Sequence, residues 1–349
     1  MACAARLCPH ARRCTLGMMT SEPRIVVAGA GSIGCFVGGL LAMAGRQATL
    51  LARPRIAEEI GEHGLHLTSL EGWSGEVRPA VATDPTALAT ADVVLVTVKS
   101  AATDEMGGLI ASHAPASAVV VSLQNGVTNA DRLRAVLPGR QVLAGMVSFN
   151  VLHRGEGRFH RGTSGPLIIE AGHDHVANLL RVPHLDVQQA ADMQAVQWGK
   201  LLLNLNNALN ALSGLPLRDQ LLDRRWRRVL AAQQEEALAL LQAAGIVPWS
   251  MGPIPARRFP QMLRLPTPLF RALARSAVRI DPLARSSMWE DLQRGRRTEI
   301  DELQGAVVRL AERLGRRAPV NRRVMEAVRQ AEEAGSGSPG LSPESLLQP

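Results

Sequence analysis

Short apolar runs, separated by glycines or polar turns, dominate the first half of the chain. They lie within residues 23–53, 91–100, 117–126 and 141–150, and most are rich in β-branched side chains. Such runs are typical of buried strands, and the residues between them suit helices, of which the first ends at Gly45. Strands that alternate with helices predict a parallel sheet with helices on both faces.

Near residue 190 the pattern changes to a helical period. Apolar positions at helical spacing recur in five segments, which are 190–213, 219–245, 256–280, 286–295 and 298–315. Residues 335–349 are rich in Gly, Ser and Pro, a composition that indicates a disordered tail. The second half of the chain is therefore predicted to be helical as far as this tail.

A glycine turn stands between the first predicted strand and the first predicted helix. Its spacing is G-x-G-x-x-G, which permits a tight turn and leaves free N–H groups at the helix N-terminus for a pyrophosphate. We assign the whole turn to cofactor binding: Gly29, Ala30, Gly31, Ser32, Ile33 and Gly34. A turn whose glycines serve only packing is the alternative.

The end of the second predicted strand distinguishes between the two nicotinamide cofactors. An acidic residue there would bind a ribose hydroxyl, but this chain has Arg53 and Arg55. Arginine suits a 2′-phosphate, so NADPH/NADP+ is favoured over NAD, with Arg53 as the predicted contact. The alternative is that both are surface residues of an arginine-rich chain.

These motifs predict an α/β protein with an N-terminal Rossmann-type dinucleotide-binding domain followed by an all-helical C-terminal domain. We expect a disordered extension at residues 1–22 and an NADP-binding domain at 23–189. A helical substrate and catalytic domain then follows at 190–334, before the tail at 335–349.

Composition narrows the classes of partner. The 349 residues carry a net charge of +8, but the arginines are dispersed and aromatic residues make up only 3%. Binding to single-stranded nucleic acid favours aromatic stacking platforms, so we expect no nucleic-acid partner. No apolar run is long enough for a membrane span. Three of the four cysteines lie in the first 14 residues, which is no disulfide framework and indicates a reducing, cytoplasmic location.

Lysine usage singles out one candidate for catalysis. Of 39 basic residues only Lys99 and Lys200 are lysines. An ammonium can give up its proton when it is desolvated, whereas a guanidinium cannot. Helical spacing places Asn204 and Asn207 on the same face as Lys200, and Asn210 lies in the same stretch. Lys200 is therefore the predicted general acid, and a self-satisfied polar cluster between helices is the alternative.

Four further polar residues stand where sites form or helices begin. Lys99 and Asn125 end predicted strands, where open α/β sheets bind ligands, although residues in such places can also simply face water. Glu299 and Ser287 lie in the stretch "SSMWEDLQRGRRTEIDELQG". From the pattern alone, Glu299 has a structural explanation: Thr298 would cap a helix, and an acidic side chain in the first turn stabilises the positive end of that helix.

Together, five motifs resemble the ketopantoate reductase (2-dehydropantoate 2-reductase) family, within the 6-phosphogluconate-dehydrogenase-like group. They span about residues 24–330 in the order "GAGSIG", "VTVKS", "SLQNGV", "WGKLLLNLNNALNAL" and "SSMWEDLQRGRRTEIDELQG". The resemblance implies NADPH-dependent reduction of ketopantoate to pantoate for pantothenate and coenzyme A biosynthesis. It also implies a small-molecule 2-oxo acid as partner and no metal, and the chain is compatible with a homodimer.

The resemblance also implies a role for each matching residue. Lys200 would bind the keto oxygen and supply its proton, and Glu299 would contact the substrate hydroxyl. Ser287 would hold the carboxylate, while Asn204 and Asn125 would orient substrate and nicotinamide. Lys99 would lie beside the cofactor, and Asn207 and Asn210 stand near the place of a substrate-binding asparagine.

Two departures from the family pattern bear on the substrate. Ala208 and Ala284 replace asparagines that contact substrate in the family. A different branched 2-oxo acid is therefore one alternative. A non-catalytic NADP-binding sensor is the other.

Overall fold

The computed structural model describes residues 22–250, 254–274 and 284–347. Residues 1–21 of the predicted extension and residues 348–349 of the predicted tail lie outside these ranges. The strands in the described residues are β1 (Ile25–Ala28), β2 (Ala48–Leu51), β3 (Leu65–Ser69), β4 (Ser74–Val77), β5 (Ala80–Ala82), β6 (Val93–Val96), β7 (Val119–Ser122), β8 (Val142–Val147), β9 (Val151–His153), β10 (Arg158–Arg161), β11 (Leu167–Glu170) and β12 (Val187–Ala190).

Helices occupy much of the remainder. They are α1 (Ser32–Met43), α2 (Pro54–His63), α3 (Thr103–His113), α4 (Asn129–Val136), α5 (Asp174–Leu180), α6 (Met193–Asn204), α7 (Asn206–Ser213), α8 (Leu217–Leu222), α9 (Arg224–Ala243), α10 (Phe259–Arg264), α11 (Thr267–Leu273), α12 (Ser287–Gln293), α13 (Gln304–Arg313) and α14 (Pro319–Ala334). None of those in the described part of the chain is long and apolar enough to span a membrane.

The main sheet has eight strands in the order β12-β11-β8-β7-β6-β1-β2-β5. From β5 to β8 neighbouring strands are parallel, with Ile25 opposite both Ala48 and Val93. The prediction of a parallel sheet holds for these six strands but not for β11, which runs antiparallel to β8. No α-helix connects β8 to β11. Strands β9 and β10 intervene instead, so no helical crossover requires the parallel direction.

A second sheet, with the order β4-β3-β10-β9, covers one side of α1. Close packing there depends on the small residues of this helix. A Cβ added at Gly39 would lie 2.9 Å from Leu67 Cδ1, and one added at Gly38 would lie 2.3 Å from Leu50 Cδ2. Helix α1 is therefore held tightly between the two sheets, which fixes the glycine turn at its N-terminus.

The helical half differs from its prediction at the segment 190–213. Strand β12 extends to Ala190, and the remainder forms two helices that meet at Leu205. Buried side chains from other helices bind carbonyls at this break: Gln234 Nε2 donates to Leu202 O at 3.0 Å, and Gln304 Nε2 donates to Leu205 O at 2.9 Å. Side chains that insert beside the helical ladder are a recognised cause of such a break.

Other helix boundaries also differ. Helix α13 begins at Gln304 rather than at residue 298, and α14, which starts with Pro319, was not predicted. The tail prediction was wrong for residues 335–347, which pack against the helical core. Ser338 Oγ donates to Ala211 O at 2.6 Å, and Leu346 is 2% exposed. The segment forms no α-helix or strand, only a 3-10 helix at Pro343–Leu346, and the leucine anchors it in the core.

Candidate active site

Two glycines of the turn are closely packed against their neighbours, and the third has open space beside it. A Cβ at Gly29, whose φ is +113°, would lie 2.7 Å from Val98 N, and one at Gly34 would lie 2.3 Å from Gly29 O. A Cβ at Gly31 would meet nothing within 4 Å. Ala30 is buried, while Ser32 and Ile33 are partly exposed. The turn thus leaves open space at the N-terminus of α1, where N–H groups have no intrahelical acceptor.

Arg53 lies beside this turn. The N–H groups of Gly29 and Ala30 donate to Leu51 O at 3.2 and 3.1 Å, so the end of β2 adjoins the glycines. Arg53 is exposed and takes part in none of the ion pairs formed within the described ranges, whereas Arg55 is 3.8 Å from Glu59. Of the two arginines, Arg53 is therefore the one available to a phosphate.

Lys200 reaches from α6 to the carboxyl ends of two strands. Its Nζ donates to Val147 O at 2.5 Å, where β8 ends, and to Asn125 Oδ1 at 3.0 Å, in the loop after β7. Burial lowers the pKa of the Lys200 ammonium to about 8, and the negative charge of Glu299 opposes this shift. The backbone of Trp249 closes over the preceding residue, because a Cβ at Gly199 would lie 2.1 Å from Trp249 O.

Glu299 and Asn125 complete the polar centre. The Glu299 carboxylate accepts from Asn125 Nδ2 at 2.9 Å and from Ser100 Oγ at 3.4 Å. The Asn125 amide thus bonds Lys200 through its oxygen and Glu299 through its nitrogen. Glu299 lies in the turn before α13, and not in the first turn of a helix, so the helix-capping explanation does not apply.

Lys99 pairs with a residue that sequence reasoning missed. Its Nζ lies 2.5 Å from Asp291 Oδ1 on α12, which links the sheet domain to the helical half. Burial raises the pKa of the Asp291 carboxyl, and the Lys99 ammonium acts in the opposite direction. Ser100 was missed as well. Both residues stand inside motifs that were recognised, "VTVKS" and "SSMWEDLQ", and proximity to Lys99 and Ser287 was the signal that could have drawn attention to them.

Two of the asparagines and one serine remain available for substrate. Asn204 and Asn207 are partly buried, and their side chains form none of the hydrogen bonds found among the described residues. Ser287 is exposed as the first residue of α12. Its neighbour Ser286 caps that helix by accepting from Trp289 N at 3.2 Å and donates to the Asn207 carbonyl at 3.0 Å.

Asn210 does not belong to this group, and its assignment to substrate binding was wrong. Its side chain is 0% exposed. Its Nδ2 donates to Leu215 O at 2.9 Å, and its Oδ1 accepts from Ser286 N at 2.8 Å. Both halves of the amide therefore support the backbone before α12. Ala208 is likewise 0% exposed, within the helical core.

No group of three or more His, Cys, Asp or Glu side chains in the described residues has the geometry to hold a metal ion. The residues that do converge are an ammonium, a carboxylate and an amide at the carboxyl ends of parallel strands. This arrangement suits proton transfer to a small polar substrate beside a bound dinucleotide.

Comparisons with known proteins identify the family to which the chain is similar. The family model described as "Ketopantoate reductase PanE/ApbA" matches residues 25–174, and the one described as "Ketopantoate reductase PanE/ApbA C terminal" matches residues 192–332. The chain is 30% identical to a 2-dehydropantoate 2-reductase of Halobacterium salinarum, over 89% of this chain and 100% of the relative. It is 27% identical to the same-named protein of Archaeoglobus fulgidus, over 88% and 98%.

Solved structures give the same picture. A PanE/ApbA family ketopantoate reductase from Ralstonia eutropha superposes with a TM-score of 0.77 at 32% identity, over 89% of this chain and 99% of the other. A D-mandelate dehydrogenase in a ternary structure with NADH and anilino(oxo)acetate has a TM-score of 0.74 at 20% identity, covering 89% and 99%. The second likeness concerns the fold alone.

Proposed function

The chain belongs to the ketopantoate reductase PanE/ApbA family, and from this premise we propose that it reduces 2-dehydropantoate to pantoate with NADPH. The observation that carries the proposal is the contact of Lys200 and Glu299 with the two halves of the Asn125 amide. An acid, a carboxylate and an orienting amide are thereby assembled where open α/β sheets bind their ligands.

The cofactor fits the residues present. The open space at Gly31 would admit the pyrophosphate, and the exposed Arg53 would contact the 2′-phosphate. Lys99 would lie beside the cofactor, and Asn125 would orient the nicotinamide. When bound, NADPH supplies the hydride.

Lys200 holds the proton that completes the reduction. An ammonium has three donors, and the hydrogen bonds to Val147 O and Asn125 Oδ1 use two of them. The third is left for the keto oxygen, which takes the proton as the carbonyl carbon becomes an alcohol carbon. A pKa of about 8 keeps Lys200 mostly protonated at neutral pH and makes the proton easier to transfer than from an ordinary lysine.

The other residues position the substrate. The negative charge of Glu299 stabilises the Lys200 ammonium, and its carboxylate would accept a hydrogen bond from the substrate hydroxyl. Ser287 would donate to the substrate carboxylate. Asn204 and Asn207, whose amides are free of hydrogen bonds within the described chain, would bind the remaining polar groups.

The identity of the 2-oxo acid is the part of the proposal on which Ala208 and Ala284 bear. Ala208 is a core residue here, so Asn204 at the end of α6 and Asn207 on α7 would bind substrate in its place. A pocket changed in this way is the reason to retain another branched 2-oxo acid as the second candidate.

The test follows the loss of NADPH absorbance with ketopantoate, with NADH and a panel of other 2-oxo acids in parallel. The proposal expects rapid turnover of ketopantoate with preference for NADPH. Faster turnover of another branched acid would favour the second candidate. Tight NADPH binding without turnover of any acid would contradict both and would favour a sensor.

We further propose that the enzyme acts in the cytoplasm as a homodimer. The cytoplasmic location is supported by the absence of a disulfide framework in the sequence and by Cys35, which is a free, buried cysteine. Light scattering during size-exclusion chromatography tests the dimer.

A further inference from the structure

A series of buried polar side chains lies behind Glu299 in the sheet domain. We call Gln124, Thr103, Asn129 and Ser100 the Glu299 relay. They are 6%, 0%, 3% and 1% exposed, respectively. They come from four places in the fold: the segment after β6, the loop after β7, the first residue of α3 and the first residue of α4. Burial of four polar side chains is costly unless each has a partner.

The hydrogen bonds of the relay all point in one direction. Gln124 Nε2 donates to Thr103 Oγ1 at 2.7 Å, and Thr103 Oγ1 donates to Asn129 Oδ1 at 2.9 Å. The Thr103 hydroxyl has a second acceptor in Ser100 O at 2.8 Å. Asn129 Nδ2 donates to Ser100 Oγ at 2.8 Å, and Ser100 Oγ donates to Glu299 Oε1 at 3.4 Å. Each donor is therefore followed by an acceptor, and the last acceptor is the carboxylate.

Backbone carbonyls determine this direction. Gln124 Nε2 also faces Val98 O at 3.1 Å, and Asn129 Nδ2 also faces Asn125 O at 2.5 Å. A carbonyl oxygen only accepts, so each of these amides must present its nitrogen.

The Ser100 proton has two acceptors in reach, Asn125 O at 3.3 Å and Glu299 Oε1 at 3.4 Å. The Asn125 carbonyl already accepts from Asn129, and a carboxylate is the stronger acceptor of the two. Because the Asn129 amide donates to a lone pair of Ser100 Oγ, the Ser100 hydroxyl proton points to Glu299.

We propose that Ser100 and Asn129 are positioning residues for the reduction, which hold the Glu299 carboxylate as a hydrogen-bond acceptor facing Lys200 before substrate binds. Glu299 then receives one donor from each side, Asn125 Nδ2 and Ser100 Oγ. The inference rests on the proposed reductase function. Both positioning residues are buried, at 1% and 3% exposed, and act through Glu299.

The decisive variant is Asn129→Asp, which keeps the shape of the side chain and replaces the donor by an oxygen. The Ser100 hydroxyl then turns toward the new carboxylate, and Glu299 loses its donor. We expect kcat to fall between about tenfold and a hundredfold, as for other losses of positioning, while the Kd for NADPH stays within about twofold. Ser100→Ala removes the last donor without adding charge and should lower kcat in the same direction.

A pH profile separates positioning from a merely structural role. Lys200 on α6 and Asp291 on α12 interact electrostatically with Glu299, and Asp291 pairs with Lys99. Arg132 on α4 is a further charged group beside Ser100, because its Nη1 donates to Ser100 O at 2.9 Å. In Asn129→Asp these groups are unchanged, and a carboxylate that loses a donor and gains an anionic neighbour titrates at higher pH. The acidic limb of kcat/KM should therefore move to higher pH, and Ser100→Ala should move it less.

The matched control is Asn178→Asp on the exposed surface of α5, which makes the same change of charge away from the site and should leave the profile unaltered. Thermal unfolding establishes whether each variant folds, and Ser100→Ala decides the matter if Asn129→Asp does not. Folded variants with unchanged kcat and pH profile would overturn the inference while the unmodified enzyme still reduces ketopantoate. Absence of turnover by the unmodified protein would refute the proposed function, and this inference with it.

Discussion

Replacement of Lys200 by alanine is the most direct test of how the site transfers a proton. The substitution removes the ammonium that reaches between the ends of β7 and β8, together with its third, unused donor. The Asn125 amide keeps its bond to Glu299 at 2.9 Å, so the remaining constellation is expected to stay in place. The variant therefore isolates the proton donor from the groups around it.

The expected loss follows from the role. Removal of a positioned general acid typically costs a factor of about 10² to 10⁴ in rate, or about 3–5 kcal/mol in the barrier. Because the pKa of Lys200 is lowered by burial to about 8, the proton is present at pH 7 and is progressively lost above pH 8. The rate of reduction should thus be level between pH 6 and 8 and decline above pH 8, and this basic limb should vanish in the variant.

Steady-state reduction of ketopantoate by NADPH between pH 6 and 10 measures both quantities, with NADPH binding followed by fluorescence titration. Lys200→Met serves as the control for volume, because it fills the space of the side chain without a charge. A kcat within about tenfold of the unmodified enzyme, or a basic limb that survives the substitution, would refute the assignment.

Three other substitutions test separate parts of the site. Arg53→Ala should raise the KM for NADPH about tenfold and leave the KM for NADH nearly unchanged. Arg55 already pairs with a glutamate, so Arg55→Ala should leave both KM values nearly unchanged. Equal effects of the two substitutions would contradict the 2′-phosphate contact. Lys99→Ala leaves the buried Asp291 carboxylate unpaired and should lower the free energy of unfolding by about 1–3 kcal/mol at pH 8. Because the pKa of Asp291 is raised, protonation should recover part of this loss as the pH falls toward 5, and chemical denaturation at both pH values checks the sign. Gly31→Ala should leave the melting temperature unchanged but weaken NADPH binding, since its Cβ would enter only the open space of the turn; calorimetric titration showing normal affinity would count against a pyrophosphate there.

Features that depend on neighbouring residues along the chain could be read from the sequence. The glycine turn is such a feature, because the strand, the turn and the helix lie within 25–43 and their geometry follows from local backbone preferences. Lys200 was found from residue usage, as one of only two lysines in an arginine-rich chain, which also needs no tertiary contact. Strands β1, β2, β6, β7 and β8 follow from their apolar runs, which need no tertiary contact to interpret, whereas β3, β4 and β5 were not predicted.

The arrangement of the site was decided by contacts that no local pattern records. Asn125 and Glu299 are 174 positions apart, and Lys99 and Asp291 are 192 apart. The same holds for Asn210, which was grouped with Lys200 because it lies in the same stretch of sequence, but whose amide bonds the backbone before α12 inside the core. Periodicity specifies which face of an element a residue lies on. Whether that face meets solvent, a core or a cleft depends on the element packed against it, and this is set only when the chain has folded.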